Sequence, residues 1–199
     1  MDASDLIPGF EPETDLERRV TAAPELLKGL AWGEPRAGHP EGAVGIHVSH
    51  LLKTLDRSGV TGEQREALRF MALVHDSFKY QVRERLPRIG ENHHAMRARR
   101  FAERFTDDER ILASIELHDR PYALWRKLQR RGKLDERAFE RMIDRIRRDP
   151  ELFLRFIELD GSTEGKRPEP IAWFRDELVK RGLVDCDSAR ELHAALADR

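Results

Sequence analysis

Apolar residues recur along most of this chain at the spacing of one helix face, and several of these stripes end in a histidine or an aspartate. Leu68, Met71 and Ala72 lead to His75, Ile111 and Ile115 lead to His118, and Phe153, Phe156 and Ile157 lead to Asp160. A face that looks into a core for two turns carries its next member inward as well, so each of these polar side chains is directed at the interior. His47 shares a face with Leu51 and adjoins the Val44, Val48, Leu55 stripe. In the adjacent pair, His94 aligns with Ala98, Phe101 and Phe105, whereas His93 aligns with Arg97 and Arg100, which makes His94 the inward candidate. Asp76 follows His75 by roughly 100° around the helix, near enough for both side chains to reach one ion on the flank.

These stripes predict an all-α fold. Helical sequence is expected near Thr14 to Leu30, Gly42 to Arg57, Gly62 to Lys79, His94 to Phe105, Asp107 to His118, Arg120 to Arg131, Glu136 to Arg148 and Pro150 to about Asp160, with two shorter segments after Pro170 and Asp187. The first dozen residues, with Pro8, Gly9 and Pro12, read as an irregular arm; Trp32 to Pro40, and Arg83 to Asn92 around Pro87 and Gly90, read as breaks. No strand alternation or internal repeat is evident. At 199 residues one compact domain is the simplest count. Within it, 1–38 form an arm and first helix, 39–162 the core, and 163–199 a C-terminal helical extension packed on that core, the loop Gly161 to Pro170 marking the boundary.

With 39% apolar and 37% charged residues, a globular interior under a densely charged surface is expected. The net charge of −1 removes any general reason to wrap nucleic acid or dock on an anionic membrane. Contact with RNA would have to be local. Arg126 to Arg148, with ten basic and four acidic residues, is the place for it, although a solvated helical surface with i to i+4 pairs accounts for such a run equally simply. Cys186 is the sole cysteine, which suits a reducing cytosol. The N-terminus is acidic, with no secretory pattern, and no apolar run is long enough to span a bilayer. A soluble cytoplasmic protein is expected.

One histidine on an apolar stripe is ordinarily a hydrogen-bonded core residue. Several imidazoles and two carboxylates directed into one interior are a different matter, because a buried aspartate without a cation carries a large desolvation cost. A divalent cation relieves it. Imidazole and carboxylate donors suit iron, manganese, cobalt, nickel or zinc, and the lack of cysteine donors argues against a structural thiolate zinc site.

The segments HPEGAVGIHVSHLL, ALRFMALVHDSFK, ENHHAMRARRF, IELHD and FIELDGS, from about His39 to Ser162, resemble the HD superfamily of metal-dependent phosphohydrolases. The first two are particularly similar to the HD domain that accompanies bacterial CCA-adding tRNA nucleotidyltransferases, here without the nucleotidyltransferase domain. The order His, His-Asp, His, His, Asp is similar to the binuclear branch. The resemblance implies an HD-type helical bundle with additional C-terminal helices. It also implies two divalent transition-metal ions, iron or manganese before cobalt, nickel, zinc or magnesium. His47, His75, Asp76 and Asp160 would hold one ion, and Asp76, His94 and His118 the other, with Asp76 bridging.

Lys79, beyond His75 and Asp76, could steady a phosphoryl oxygen, and Lys166 and Arg167 could close over an anionic substrate, though each also reads as an ordinary surface cation. His50, Glu116 and Asp119 could orient ligand imidazoles, and Asp119 could instead cap the following helix. His39 is placed at the entrance and His193 in the last helix. The expected activity is hydrolysis of a phosphate ester, of a nucleotide or another small phosphorylated metabolite, by a metal-activated water, with Asp76 and Lys79 at the chemistry. The alternatives are a mixed-valent di-iron oxygenase of the inositol oxygenase type, whose ligand order is the same, and a non-catalytic nucleotide- or RNA-binding module. The oligomeric state is open.

Overall fold

The computed structural model describes residues 1–35 and 40–185. The fold is all-α, with no strand among the described residues. Helices α1 (Ala3–Leu6), α2 (Asp15–Thr21), α3 (Pro24–Leu30), α4 (Val44–Arg57) and α5 (Gly62–Val74) form the N-terminal half. Two 3₁₀ turns, Lys79–Gln81 and Gly90–Asn92, lead to α6 (His94–Ala102), α7 (Glu109–Leu117), α8 (Arg120–Arg131), α9 (Glu136–Ile146), α10 (Pro150–Asp160) and α11 (Glu169–Lys180). Helix pairs α4 and α5, α6 and α7, and α8 and α11 lie side by side.

Two apolar clusters share this framework. The first joins α1 to α7 with one face of α10, through Leu152, Phe156 and Leu159. The second joins α8, α9 and α11 to the opposite face of α10, through Phe153, Leu154 and Ile157. Helix α7 is divided in the same way, Leu112 and Ile115 belonging to the first cluster and Ala113 and Leu117 to the second. A helix apolar on two faces is buried on both. The C-terminal ends of α7 and α10 are therefore fixed from either side, and those ends carry His118 and Asp160.

Helix boundaries depart from expectation where a local interaction outweighs periodicity. The first residues are no arm: Asp2 and Asp5 form a reciprocal capping box, and Ile7 and Phe10 are buried in the first cluster. The Thr14 to Leu30 segment divides at Pro24, which has no N–H for a continuing helix and takes the first position of α3. Helix α5 stops at Val74 instead of running to Lys79, the chain tightening as the Ser77 N–H bonds the Val74 carbonyl at 3.2 Å and the Ser77 hydroxyl donates to the Leu73 carbonyl at 2.7 Å. Asp76 consequently sits on a turn. Asp108 caps α7 through the Arg110 N–H, so that helix begins at Glu109, and Asp149 caps α10 through the Leu152 N–H. Cys186, His193 and the segment after Asp187 lie outside the described residues, as does His39.

A buried ion pair ties the N-terminal helices to α5. Arg69 donates to Glu17 through Nε at 2.6 Å and Nη2 at 3.0 Å and to the Glu11 carbonyl at 2.9 Å, with Arg69 3% and Glu17 1% exposed. Removing one partner of such a pair leaves a stranded charge. Arg69→Ala is expected to lower unfolding free energy by about 3–5 kcal/mol in urea denaturation. The neighbouring Arg65, which pairs with the more exposed Glu13 and Asp56, is expected to cost at most about 1 kcal/mol as Arg65→Ala.

Candidate metal centre

Five helical segments deliver side chains to one place, four of them from a helix end. His47 projects from the first turn of α4, His75 caps the C-terminus of α5 and Asp76 follows on the turn. His94 opens α6, His118 caps α7 and Asp160 ends α10. Gly29 on α3 holds the α5 turn closely: a Cβ there would stand 1.6 Å from the Ser77 carbonyl oxygen. Only glycine allows α3 to back the turn that carries Asp76.

The donor atoms fall into two sets that share a carboxylate. On one side Asp160 Oδ1 is 3.0 Å from His47 Nε2 and 3.5 Å from His75 Nε2, and Asp76 Oδ2 is 3.6 Å from His75 Nε2. On the other, Asp76 Oδ1 is 3.3 Å from His94 Nε2 and 3.5 Å from His118 Nε2, while those two nitrogens are 3.3 Å apart. Among the described residues, three groups bring their donor atoms near enough together for a metal ion: His47, His75 and Asp160; His75, Asp76 and His118; and His93, His94 and Asp119.

Hydrogen bonding on the far side of the rings sets the tautomers. His75 Nδ1 donates to the carbonyls of Met71 and Ala72 at 3.2 and 3.1 Å, and His118 Nδ1 donates to the Ile115 carbonyl at 2.8 Å. A carbonyl only accepts, so Nδ1 carries a proton in each ring and each Nε2 is the atom turned toward the centre. His75 Nε2 and Asp76 Oδ1 are buried without a hydrogen-bond partner. Orphaned atoms of this kind are rare in a folded interior, and here each belongs to a cluster of imidazole and carboxylate donors that suits a cation. The donor set fits a divalent metal.

The charge balance points the same way. Burial pushes the Asp76 carboxyl up, but Lys79, His75, His118 and His94 together hold it well below the usual carboxylate range. Burial likewise opposes ionisation of Asp160, and Lys166, His47 and His75 overcome it. At His118 burial favours the neutral ring, yet Asp119, Asp76 and Asp160 raise its pKa to about 9. Clustered carboxylates demand positive charge at this point, which a proton or a metal ion can supply.

The remaining candidates are scattered around this centre. Lys79 Nζ is paired with Asp76 Oδ2. Lys166 is half-buried; burial favours its neutral form, but Asp160, Asp76, Asp119 and Glu41 keep it protonated. Arg167 is exposed, 3.1 Å from Glu169 and stacked over Trp125 with its guanidinium 5.0 Å from the ring centre. Lys166 and Arg167 line a cavity of about 350 Å³ with His118, Asp119, Asp160, Tyr122, Ile157 and Ile171. A second cleft is lined by Trp32 to Pro35, Lys79, Arg88 and His94, and Asp119 borders both. His50 is exposed, and Glu116 is held by Arg145 at 2.6 Å and Arg99 at 3.2 Å, so neither orients a ring of the cluster. In the basic run, Lys127 pairs with Asp135 and Arg126 lies over Tyr122.

Sequence reasoning understated two carboxylates. Asp119 makes no cap bond to α8 and stands instead 3.2 Å from His94 Nε2, on the donor side of the ring. Glu41 has a side chain only 4% exposed, with Oε1 3.6 Å from His47 Nδ1, and it sits in a loop where no periodicity could signal it. His93 caps α6, its Nδ1 accepting the Ala95 N–H at 3.2 Å. With Nδ1 so used, the neutral ring carries its proton on Nε2 and has no lone pair for a metal, whereas His94 is free to coordinate. No described helix is long and apolar enough to cross a membrane. Comparison with protein-family models, curated proteins and solved structures gives no match.

Two outcomes follow from the geometry. Saturating Mn²⁺, at about 100 times its dissociation constant, is expected to add about 2.7 kcal/mol to the unfolding free energy for each ion bound, and His75→Ala should lose the share of the ion that His75 holds, as read by thermal unfolding with and without metal. Gly29→Ala is expected to lose about 1–3 kcal/mol without metal, from overpacking against Ser77, and to bind Mn²⁺ more weakly in calorimetric titration because the Asp76 turn is displaced.

Proposed function

We propose that this chain is a metal-dependent phosphohydrolase of the HD superfamily, hydrolysing a phosphate ester of a nucleotide or another small phosphorylated metabolite in the cytoplasm. The observation that carries the reading is the pair of partnerless buried atoms, His75 Nε2 and Asp76 Oδ1, between two donor sets that share Asp76 and are flanked by Lys79 and Lys166. His47, His75, Asp76 and Asp160 would hold one ion and Asp76, His94 and His118 a second, with iron or manganese favoured by the imidazole and carboxylate donors. When bound, the two ions supply a water of lowered pKa as the nucleophile and neutralise charge on the phosphoryl oxygens.

The chain's own residues do the rest. Lys79 uses one N–H on Asp76 and keeps two for a phosphoryl oxygen arriving from the second cleft. Lys166, held protonated by the surrounding carboxylates, meets the phosphoryl group from the 350 Å³ cavity. Tyr122, Ile157 and Ile171 give that cavity an apolar wall for the organic part of the substrate, and Arg167 closes its rim. Two lysines, one beside Asp76 and one near Asp160, favour an anionic substrate over a neutral one. No side-chain nucleophile is needed.

The test is a panel of phosphomonoesters and phosphodiesters assayed with metal-free and Mn²⁺-loaded protein. Phosphate release is expected only with metal. Lys79→Ala and Lys166→Ala are each expected to lower kcat/KM by about 10- to 100-fold, the value of a hydrogen bond to a charged group. Hydrolysis that survives complete metal removal contradicts the reading, as does substrate-dependent oxygen consumption without phosphate release.

A further inference from the structure

Asp119 is the carboxylate least explained by the six-residue ligand set. It stands at the junction of α7 and α8, directly after His118, in the position where an aspartate ordinarily accepts an N–H of the following helix. It makes no such bond. Its Oδ2 lies 3.2 Å from His94 Nε2 and its Oδ1 3.7 Å from His118 Nε2, so it faces both imidazoles of the second donor set. The side chain is 48% exposed and borders both the cavity and the second cleft, which leaves this side of the centre open to solvent and substrate.

We propose that Asp119 is a fourth protein donor to the second ion, beside Asp76, His94 and His118; this rests on the two-ion reading above. Around an ion bound at 2.0–2.2 Å, neighbouring donors are about 3.3–3.6 Å apart in a tetrahedron and about 2.8–3.1 Å apart in an octahedron. The measured separations are 3.3 Å for His94 to Asp76, 3.5 Å for His118 to Asp76, 3.3 Å for His94 to His118, and 3.2 and 3.7 Å from Asp119 to the two rings. The first three and the 3.2 Å contact of Asp119 Oδ2 match a tetrahedral edge within about 0.1 Å, the 3.7 Å contact being made by the other oxygen, Oδ1, and an octahedral site needs the donors drawn in by a few tenths of an ångström.

His93 does not compete for this position. Its Nδ1 lone pair is engaged by the Ala95 N–H, so its Nε2 proton points toward Asp119 Oδ2, 4.0 Å away, as an outer neighbour of the carboxylate. The assignment also alters the charge of the centre. Asp76 and Asp160 leave two divalent ions with a surplus of two positive charges, and a third carboxylate reduces it to one. The second ion is then retained by the protein without substrate.

Equilibrium Mn²⁺ binding to metal-free full-length protein tests this, with ion content counted after desalting and spin coupling read by electron paramagnetic resonance. Wild type is expected to take two coupled ions. Asp119→Ala is expected to keep one tight ion, to give an uncoupled six-line signal at one equivalent, and to bind the second about 10- to 100-fold more weakly. Asp119→His, which restores a donor, is expected to recover the coupled pair. Two ions of unchanged affinity in Asp119→Ala overturn the assignment, and so does loss of both ions at an unchanged circular dichroism spectrum. A wild type that takes fewer than two ions overturns the two-ion reading itself, and with it this role.

Discussion

Ionised carboxylates held away from water are the condition on which the rest of this structure depends. Asp76 is 5% exposed and the Asp160 side chain 19%, yet both remain charged, because lysines and imidazoles surround them closely enough to outweigh burial. Removing such a group from water costs several kcal/mol unless positive charge compensates it. The elevated His118 pKa, about 9, expresses the same demand from the other side. A centre of this kind is not an efficient way to stabilise a helical bundle, since an apolar core of equal volume serves as well or better. Its retention makes sense as chemistry.

The packing converts that demand into geometry. Helices α7 and α10 are gripped on two faces by the two apolar clusters, so His118 and Asp160 project from ends that have little freedom to shift. The α5 turn is held from behind by α3 at Gly29, and the Ile115, Met71 and Ala72 carbonyls fix the His118 and His75 rings. Donors to a metal therefore come from rigid elements. Lys166 and Arg167 lie instead on the loop before α11, and Tyr122 in the first turn of α8, where they border the 350 Å³ cavity. This division between a stiff centre and an adaptable rim is the usual one for sites in compact folds.

Much of this was legible in the sequence, for a reason that also marks its limit. A stripe such as Phe153, Phe156, Ile157, Asp160 assigns direction to its last member because helical phase persists to the end of α10. The same phase separated His94 from His93, and the structure adds the independent reason that His93 is occupied as a cap. Phase fails once the helix stops. Asp76 was expected on a continuing helix and lies on a turn, and Asp119, at a junction between helices, offered two readings, of which the cap bond is not made. Glu41 lies in a loop with no period at all. The four-residue α1 is too short for periodicity, although the Asp2 and Asp5 pair was a visible capping signal. The Pro24 break was visible too, and a proline inside a helical pattern should have divided the segment.

The central claim is that Asp76 joins two metal-binding donor sets. Crystals grown with saturating Mn²⁺ and measured on both sides of the manganese absorption edge test it most directly. Two anomalous peaks about 3.5–4 Å apart are predicted, with one Asp76 oxygen coordinating each. Anomalous density that lies elsewhere, or none within coordinating reach of Asp76, contradicts the account.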